Sequence, residues 1–423
     1  MEIKIKRREF LLTASGLIAS FFFVLEDSLD AQILPSKTIE FENTPLPPSK
    51  LWSLVEKMDE NDDLLRDLPL NVSTKSLDFY ENRITRNGDK ISVSRKKLTE
   101  QNKDIGLKIM NTDTGEIQII KVSIKVQKDG VELISPPGYQ IDIVERASGI
   151  RWNKWNTLYK ISSPAGWLVL KNKYPDVNEK TQKVTVKNKA GKSRTISKKL
   201  YTVEELVYSP YSAELHTPEL IEAGRRYLKS VVGLAMADLK INSVLSLSFF
   251  ARLPILEQTD MTEFNADPQT TVDRVLVLIG ANKEVAFKKT GSKAGALGWI
   301  QFTPNTYKTI RKTYPAVKLI ADFETGAADH LNSMKAAILL YDYNLNYLLI
   351  KHGSKILGDP RLEEYLAAAY NGRPSRASLS LKASVLGGLS DWVDALSAKR
   401  GGLASETKGY MKKIRYLQER GLP

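Results

Sequence analysis

The chain has 423 residues, of which 42% are apolar and 26% charged. That is too long for one ordinary domain, and the balance excludes a disordered, collagenous or multispan membrane chain. There are 62 Lys+Arg against 49 Asp+Glu, a net charge of +13, with no cysteine and three histidines, His216, His330 and His352. Disulfides, thiolate metal sites and cysteine nucleophiles are therefore excluded, and three scattered histidines are a poor basis for a metal centre. No metal and no cofactor is expected, and chemistry must come from carboxylates, hydroxyls, amides or lysines.

The first element, residues 1–31, reads as an export signal. Lys4, Lys6, Arg7 and Arg8 precede a fifteen-residue apolar stretch from Leu11 to Leu25, short of the about 20 residues a bilayer span needs and suited to a signal core. Arg7-Arg8-Glu9-Phe10-Leu11 resembles the twin-arginine export motif, a receptor-read address; an ordinary secretory signal with paired arginines is the alternative. Leu29, three positions before the end, is not the small residue a cleavage site requires, so retention as a membrane anchor is the other outcome. The expected location is the periplasm or cell envelope. A basic exported protein favours polyanions outside the cytoplasm, and nucleic acid is not expected as a partner.

Residues 32–74, with Pro35, Pro45, Pro47 and Pro48, read as a linker of limited structure carrying a short helix at about 50–65. Residues 75–208 read as a small β domain: alternating runs such as 90–94, 116–126 and 167–170 are separated by Asn87-Gly88, Asp129-Gly130 and Ala190-Gly191 turns. Its most basic piece, Lys180–Lys199, holds eight Lys/Arg and no acid. It is either a solvated edge hairpin protected by lysines or an electrostatic contact for anionic wall polymers. From Thr217 the apolar spacing becomes helical, and Thr217-Pro218-Glu219 is a helix start. Helices are expected to Leu239 and over about 243–257, 269–287, 327–351, 361–371 and 406–419. The expected fold class is α+β, a β domain followed by an all-helical domain over 209–423.

One block of the helical half stands out: Ser292, Gly295-Ala296, Gly298 and Gln301, followed by a helix start at Pro304. Leu253-Pro254-Ile255-Leu256-Glu257 precedes it, and Ala369-Tyr370-Asn371-Gly372 and Glu406-Thr407 with Tyr410 follow. In this order the four blocks resemble the soluble lytic transglycosylase and goose-type lysozyme superfamily over about residues 214–423. The resemblance implies a lysozyme-like helical fold and cleavage of the β-1,4 bond between N-acetylmuramic acid and N-acetylglucosamine in peptidoglycan, leaving 1,6-anhydromuramic ends. It further implies Glu257 as the catalytic acid and then base, with Ser292, Gln301, Tyr370, Asn371 and Glu406 at the substrate. The family places Ser or Thr after its glutamate and the motif glutamine less than twenty residues on, whereas here Gln258 follows Glu257 and Gln301 lies 44 residues away. Glu284 and Glu263 are therefore the competing acids. Glu257 is preferred because an acid that stays protonated near neutral pH needs apolar surroundings. The alternatives are a muramidase that uses water on the same bond and a non-catalytic wall-binding protein.

Overall fold

The computed structural model describes residues 52–423, apart from 88–89, 128–129, 147–156, 188–192, 241–244, 293 and 390. The export-signal expectation for residues 1–31 lies outside the described residues. So do the expected linker up to residue 51, the Ala190-Gly191 turn, and the side chains of the Lys180–Lys199 cations. Leu51–Pro423 form one compact unit of mixed helix and sheet, as an α+β chain requires.

Residues 52–71 are packed rather than loose, and the short helix expected at about 50–65 is found as two. Two short helices, α1 (Leu54–Asp59) and α2 (Asp62–Asp67), are fixed to a sheet by buried lysines. Strands β1 (Val72–Asn87), β2 (Lys90–Asn111), β3 (Ile117–Gln127), β4 (Gly130–Ile134), β7 (Trp167–Lys187) and β8 (Ser193–Tyr208) form it in the order β4-β3-β2-β7-β8, with β1 also pairing with β2; β5 (Gln140–Arg146) and β6 (Thr157–Ser163) pair separately. All pairings are antiparallel. Side chains alternate between the two faces of a strand. Ile105, Leu107 and Ile109 of β2 therefore enter the main core, while Lys108 and Met110 lie on the opposite face. There the Lys108 ammonium, fully buried, donates to Met58 O at 2.8 Å and to Asp62 at 2.6 Å. Lys171 reaches Asp62, and Lys173 the carbonyls of Arg66 and Leu68. A buried cation is tolerated only when its donors are used, and here α1 and α2 supply the acceptors.

The helical half follows: α3 (Pro218–Leu239), α4 (Leu247–Gln258), α5 (Met261–Ala266), α6 (Pro268–Asn282), α7 (Pro304–Thr313), α8 (Phe323–Ala328), α9 (His330–His352), α10 (Leu362–Gly372), α11 (Pro374–Gly387) and α12 (Ser405–Glu419). The Thr217 hydroxyl accepts from Leu220 N at 3.3 Å, so α3 starts where Thr217-Pro218 says it should. Helices α3 and α6 cross closely, because a Cβ on Gly224 would stand 2.1 Å from the Leu276 carbonyl.

One expectation shifts, and helix α11 was not expected. The 269–287 helix stops at Asn282, whose buried side chain binds Ser209 at both its N–H and its carbonyl. Helix α11 carries no clear apolar stripe because Ser378, Ser380 and Ser384 occupy buried positions alongside Ala377 and Leu381. The strands and helices share a further apolar cluster, with Met110 and Leu170 from the sheet, Leu54 and Met58 from α1, and Leu215, Leu220, Val277 and Ala281 from the helical half. The boundary near residue 209 thus runs through packed apolar surface rather than through a free linker.

Candidate functional site

Helix α4 delivers Glu257. It starts at Ser246, whose hydroxyl accepts from Phe249 N at 3.0 Å, and Phe249 to Leu256 are all buried. Glu257 stands on the last turn, where this apolar rod reaches a cluster of polar side chains. The residue is partly exposed, so one side of it is open to approach. Its carboxyl is nevertheless packed closely enough that burial dominates its ionisation, raising it from the ordinary 4.5 to about 7. The Tyr410 hydroxyl and the Lys413 ammonium oppose that rise, and the Glu406 carboxylate adds to it. Glu257 in turn acts on Tyr341, Tyr370 and Tyr410, all held well above the usual phenol range, chiefly by burial. Three further helices, α9, α10 and α12, therefore meet α4 around one carboxyl.

The aromatic wall is ordered. Tyr341 stacks on Tyr370 with centroids 5.1 Å apart, and Phe249 meets Tyr341 edge-on at 4.8 Å. The Tyr370 hydroxyl donates to Ile300 O at 2.8 Å, and Glu257 is among the groups that act on it. Tyr410 is buried, and its hydroxyl and the Glu257 carboxyl act on one another.

The glycine-rich block forms a tight loop beside α4. Ser292 is exposed, and its hydroxyl accepts from Ala296 N at 3.1 Å, closing the turn over Gly295. Gln301 has φ 51°, and its Nε2 donates to Gly298 O at 2.7 Å and Thr290 O at 3.2 Å. Gln258, the residue after Glu257, is buried and donates to Trp299 O at 2.8 Å and Gly298 O at 3.2 Å. The carbonyls of Gly298, Trp299 and Ile300 are thus held by Gln258, Gln301 and Tyr370. Gln258 ties the helix that carries Glu257 to the loop. Behind α10, Thr407 Oγ1 donates to Asn371 Oδ1 at 2.8 Å. Gly372 allows that approach, since a Cβ there would stand 2.5 Å from the Thr407 hydroxyl. Asn371 and Glu406-Thr407 are therefore joined, with Glu406 exposed on the first turn of α12.

The competing acids lie elsewhere. Glu284 is exposed in the short turn after α6, where the tyrosine it acts on is Tyr227. Glu263 is ion-paired to Arg274. Sequence reasoning missed Tyr341, Gln258 and Lys413 as parts of the site. Spacing offered one signal: Glu406, Tyr410 and Lys413 recur at four and three residues, one helix face.

Trp299 anchors the loop from below. Its Nε1 donates to Ser333 at 2.8 Å, and its ring lies on His330 with centroids 3.8 Å apart and 4° between planes. His330 Nε2 donates to Ala286 O at 2.8 Å, which leaves Nδ1 to accept from the Tyr227 hydroxyl at 3.1 Å. Burial lowers this histidine to about 4. A lowered histidine stabilises the fold above its unfolded value of 6.5, and that contribution is lost as pH falls through 4. The shift corresponds to about 3 kcal/mol. Denaturant unfolding between pH 7 and pH 4 should therefore fall more steeply in the wild type than in His330→Gln. Parallel curves would contradict a neutral buried imidazole.

In comparisons with family models, with curated proteins and with solved structures, nothing matches this chain.

Proposed function

We propose that the chain is an exported lytic transglycosylase, with residues 209–423 as a lysozyme-like helical catalytic part that cleaves the β-1,4 bond between N-acetylmuramic acid and N-acetylglucosamine. The observation that carries this reading is the Glu257 carboxyl. It holds a proton to about pH 7 at an apolar helix end, beside the Ser292–Gln301 loop and the Tyr370-Asn371 and Glu406-Thr407 pairs. A protonated carboxylic acid that is partly open to approach is what the first chemical step needs.

In that step Glu257 donates its proton to the glycosidic oxygen while the substrate's own N-acetyl oxygen takes up the anomeric carbon. This places the reaction among the substrate-assisted exceptions to the two-carboxylate rule. The resulting Glu257 carboxylate is stabilised by the Tyr410 hydroxyl and the Lys413 ammonium. It then removes the proton from the muramic 6-hydroxyl, whose oxygen closes the 1,6-anhydro ring and displaces the acetamido oxygen. Ser292 and Gln301 lie on the loop that would line the glycan, and Glu406 on the opposite helix start. The strand-rich part contributes affinity for the wall through its basic Lys180–Lys199 segment.

Digestion of purified sacculi by the full chain, read by mass spectrometry, tests the reading. Muropeptides with 1,6-anhydromuramic ends are expected. Reducing muramic ends would replace transglycosylation by hydrolysis, and no release at all would leave a wall-binding protein.

A further inference from the structure

Lys413 is a buried cation, 7% exposed, that the reaction as written uses only through its charge. Its ammonium donates to Leu256 O at 3.2 Å and to Thr259 O, the carbonyls on either side of Glu257 in the chain. The final carbonyls of a helix have no partners within it, and the helix dipole favours a cation at that end. A solvent-exposed lysine or a glycine cap would meet that need at lower cost, because burying an ammonium is expensive. The charged and titratable groups facing it come from several elements: Glu257 on α4, Asp260 at the start of α5, and Glu406 on its own helix. Tyr341 of α9, Tyr370 of α10 and Tyr410 of α12 complete the surroundings of Glu257.

We infer that Lys413 is the positioning residue of the acid: its ammonium clamps the end of α4 that carries Glu257 and sets a positive charge beside the Glu257 carboxyl. The inference rests on the reading of Glu257 as the acid. Without the cation, the Glu257 anion would stand between the apolar end of α4 and the Glu406 carboxylate, so its proton would be held to higher pH. A nearby opposite charge moves a carboxyl by about 1–3 pH units.

The experiment compares the full-length wild type with Lys413→Met, Lys413→Arg and Lys413→Gln, the last keeping hydrogen-bond donors without charge. The first readout is the pH profile of sacculus digestion. The alkaline limb should move up by about one unit or more in the Met and Gln variants and stay in place in Lys413→Arg, with the maximal rate reduced in the uncharged pair because a weaker acid donates less readily. The second readout needs no turnover. The melting-temperature difference between each chain and its Glu257→Gln partner, followed against pH, reports the titration of Glu257. A midpoint that stays put in folded Lys413→Gln would overturn the inference and leave Lys413 a structural cap. A shifted midpoint with Glu257→Gln fully active would preserve the coupling and overturn the catalytic reading instead. Should Lys413→Met fail to fold, Lys413→Gln carries the comparison.

Discussion

Replacing Glu257 by glutamine should stabilise the protein while abolishing its activity. A carboxyl whose folded value is raised to about 7 keeps its proton in the fold after the unfolded chain has lost it. Its contribution is therefore fully favourable below 4.5 and is lost as pH rises through 7. The cost of the buried charge reaches about 3 kcal/mol above pH 7. Glutamine keeps the shape and never ionises. The variant should match the wild type near pH 4 and exceed it at pH 8, by thermal or denaturant unfolding. Catalysis runs the other way. Loss of a general acid costs about 10²–10⁴-fold, and because the same group also serves as base, the fall should reach at least that range. In the wild type, digestion should decline above pH 7 as the acid loses its proton. Equal stability of the two chains at every pH would show that the carboxyl is not buried as described.

The second large effect is expected at Gly298. Its φ is +83°, and a Cβ there would stand 2.1 Å from the Ala327 carbonyl. Alanine would meet both the left-handed backbone penalty and an overlap with main chain that cannot rotate away. Together these amount to about 2–4 kcal/mol. Because Gly298 O accepts from both Gln258 and Gln301, the loop should move with it, and activity should fall with stability. Gly295 has a similar φ of +79° but open space around the added atom. Gly295→Ala should therefore cost only the backbone part, about 1–2 kcal/mol. Equal melting temperatures for the two variants would contradict the packing of the loop against α8.

Much of this arrangement was legible in the residues, and the failures have physical causes. Thr217-Pro218 marked the start of α3 because capping is local chemistry, and the Gly295-Ala296 and Gly298 spacing marked a loop whose carbonyls Gln258, Gln301 and Tyr370 hold. Helix α11 was missed because its buried positions are serines, and hydrophobic periodicity cannot register a polar residue whose partners come from elsewhere in the fold. Residues 52–71 read as a linker because the lysines that hold them, Lys108, Lys171 and Lys173, sit in strands far along the chain and resemble surface residues in sequence. Lys413 was overlooked for the same reason. Its spacing from Glu406 and Tyr410 was visible, but lysine is ordinarily exposed, and only the packing of α12 on α4 shows that it is buried.

The most direct test of the central assignment pairs Glu257→Gln with Glu284→Gln, each first shown to be folded by its melting curve. Release of soluble muropeptides from purified sacculi would then be measured at pH 6, where the wild-type acid is protonated. Glu284 is exposed and stands with Tyr227 rather than with the Tyr341, Tyr370 and Tyr410 wall, so Glu284→Gln should digest at close to the wild-type rate while Glu257→Gln releases almost nothing. Retained release by Glu257→Gln together with an inactive Glu284→Gln would move the chemistry to the other glutamate and contradict the account.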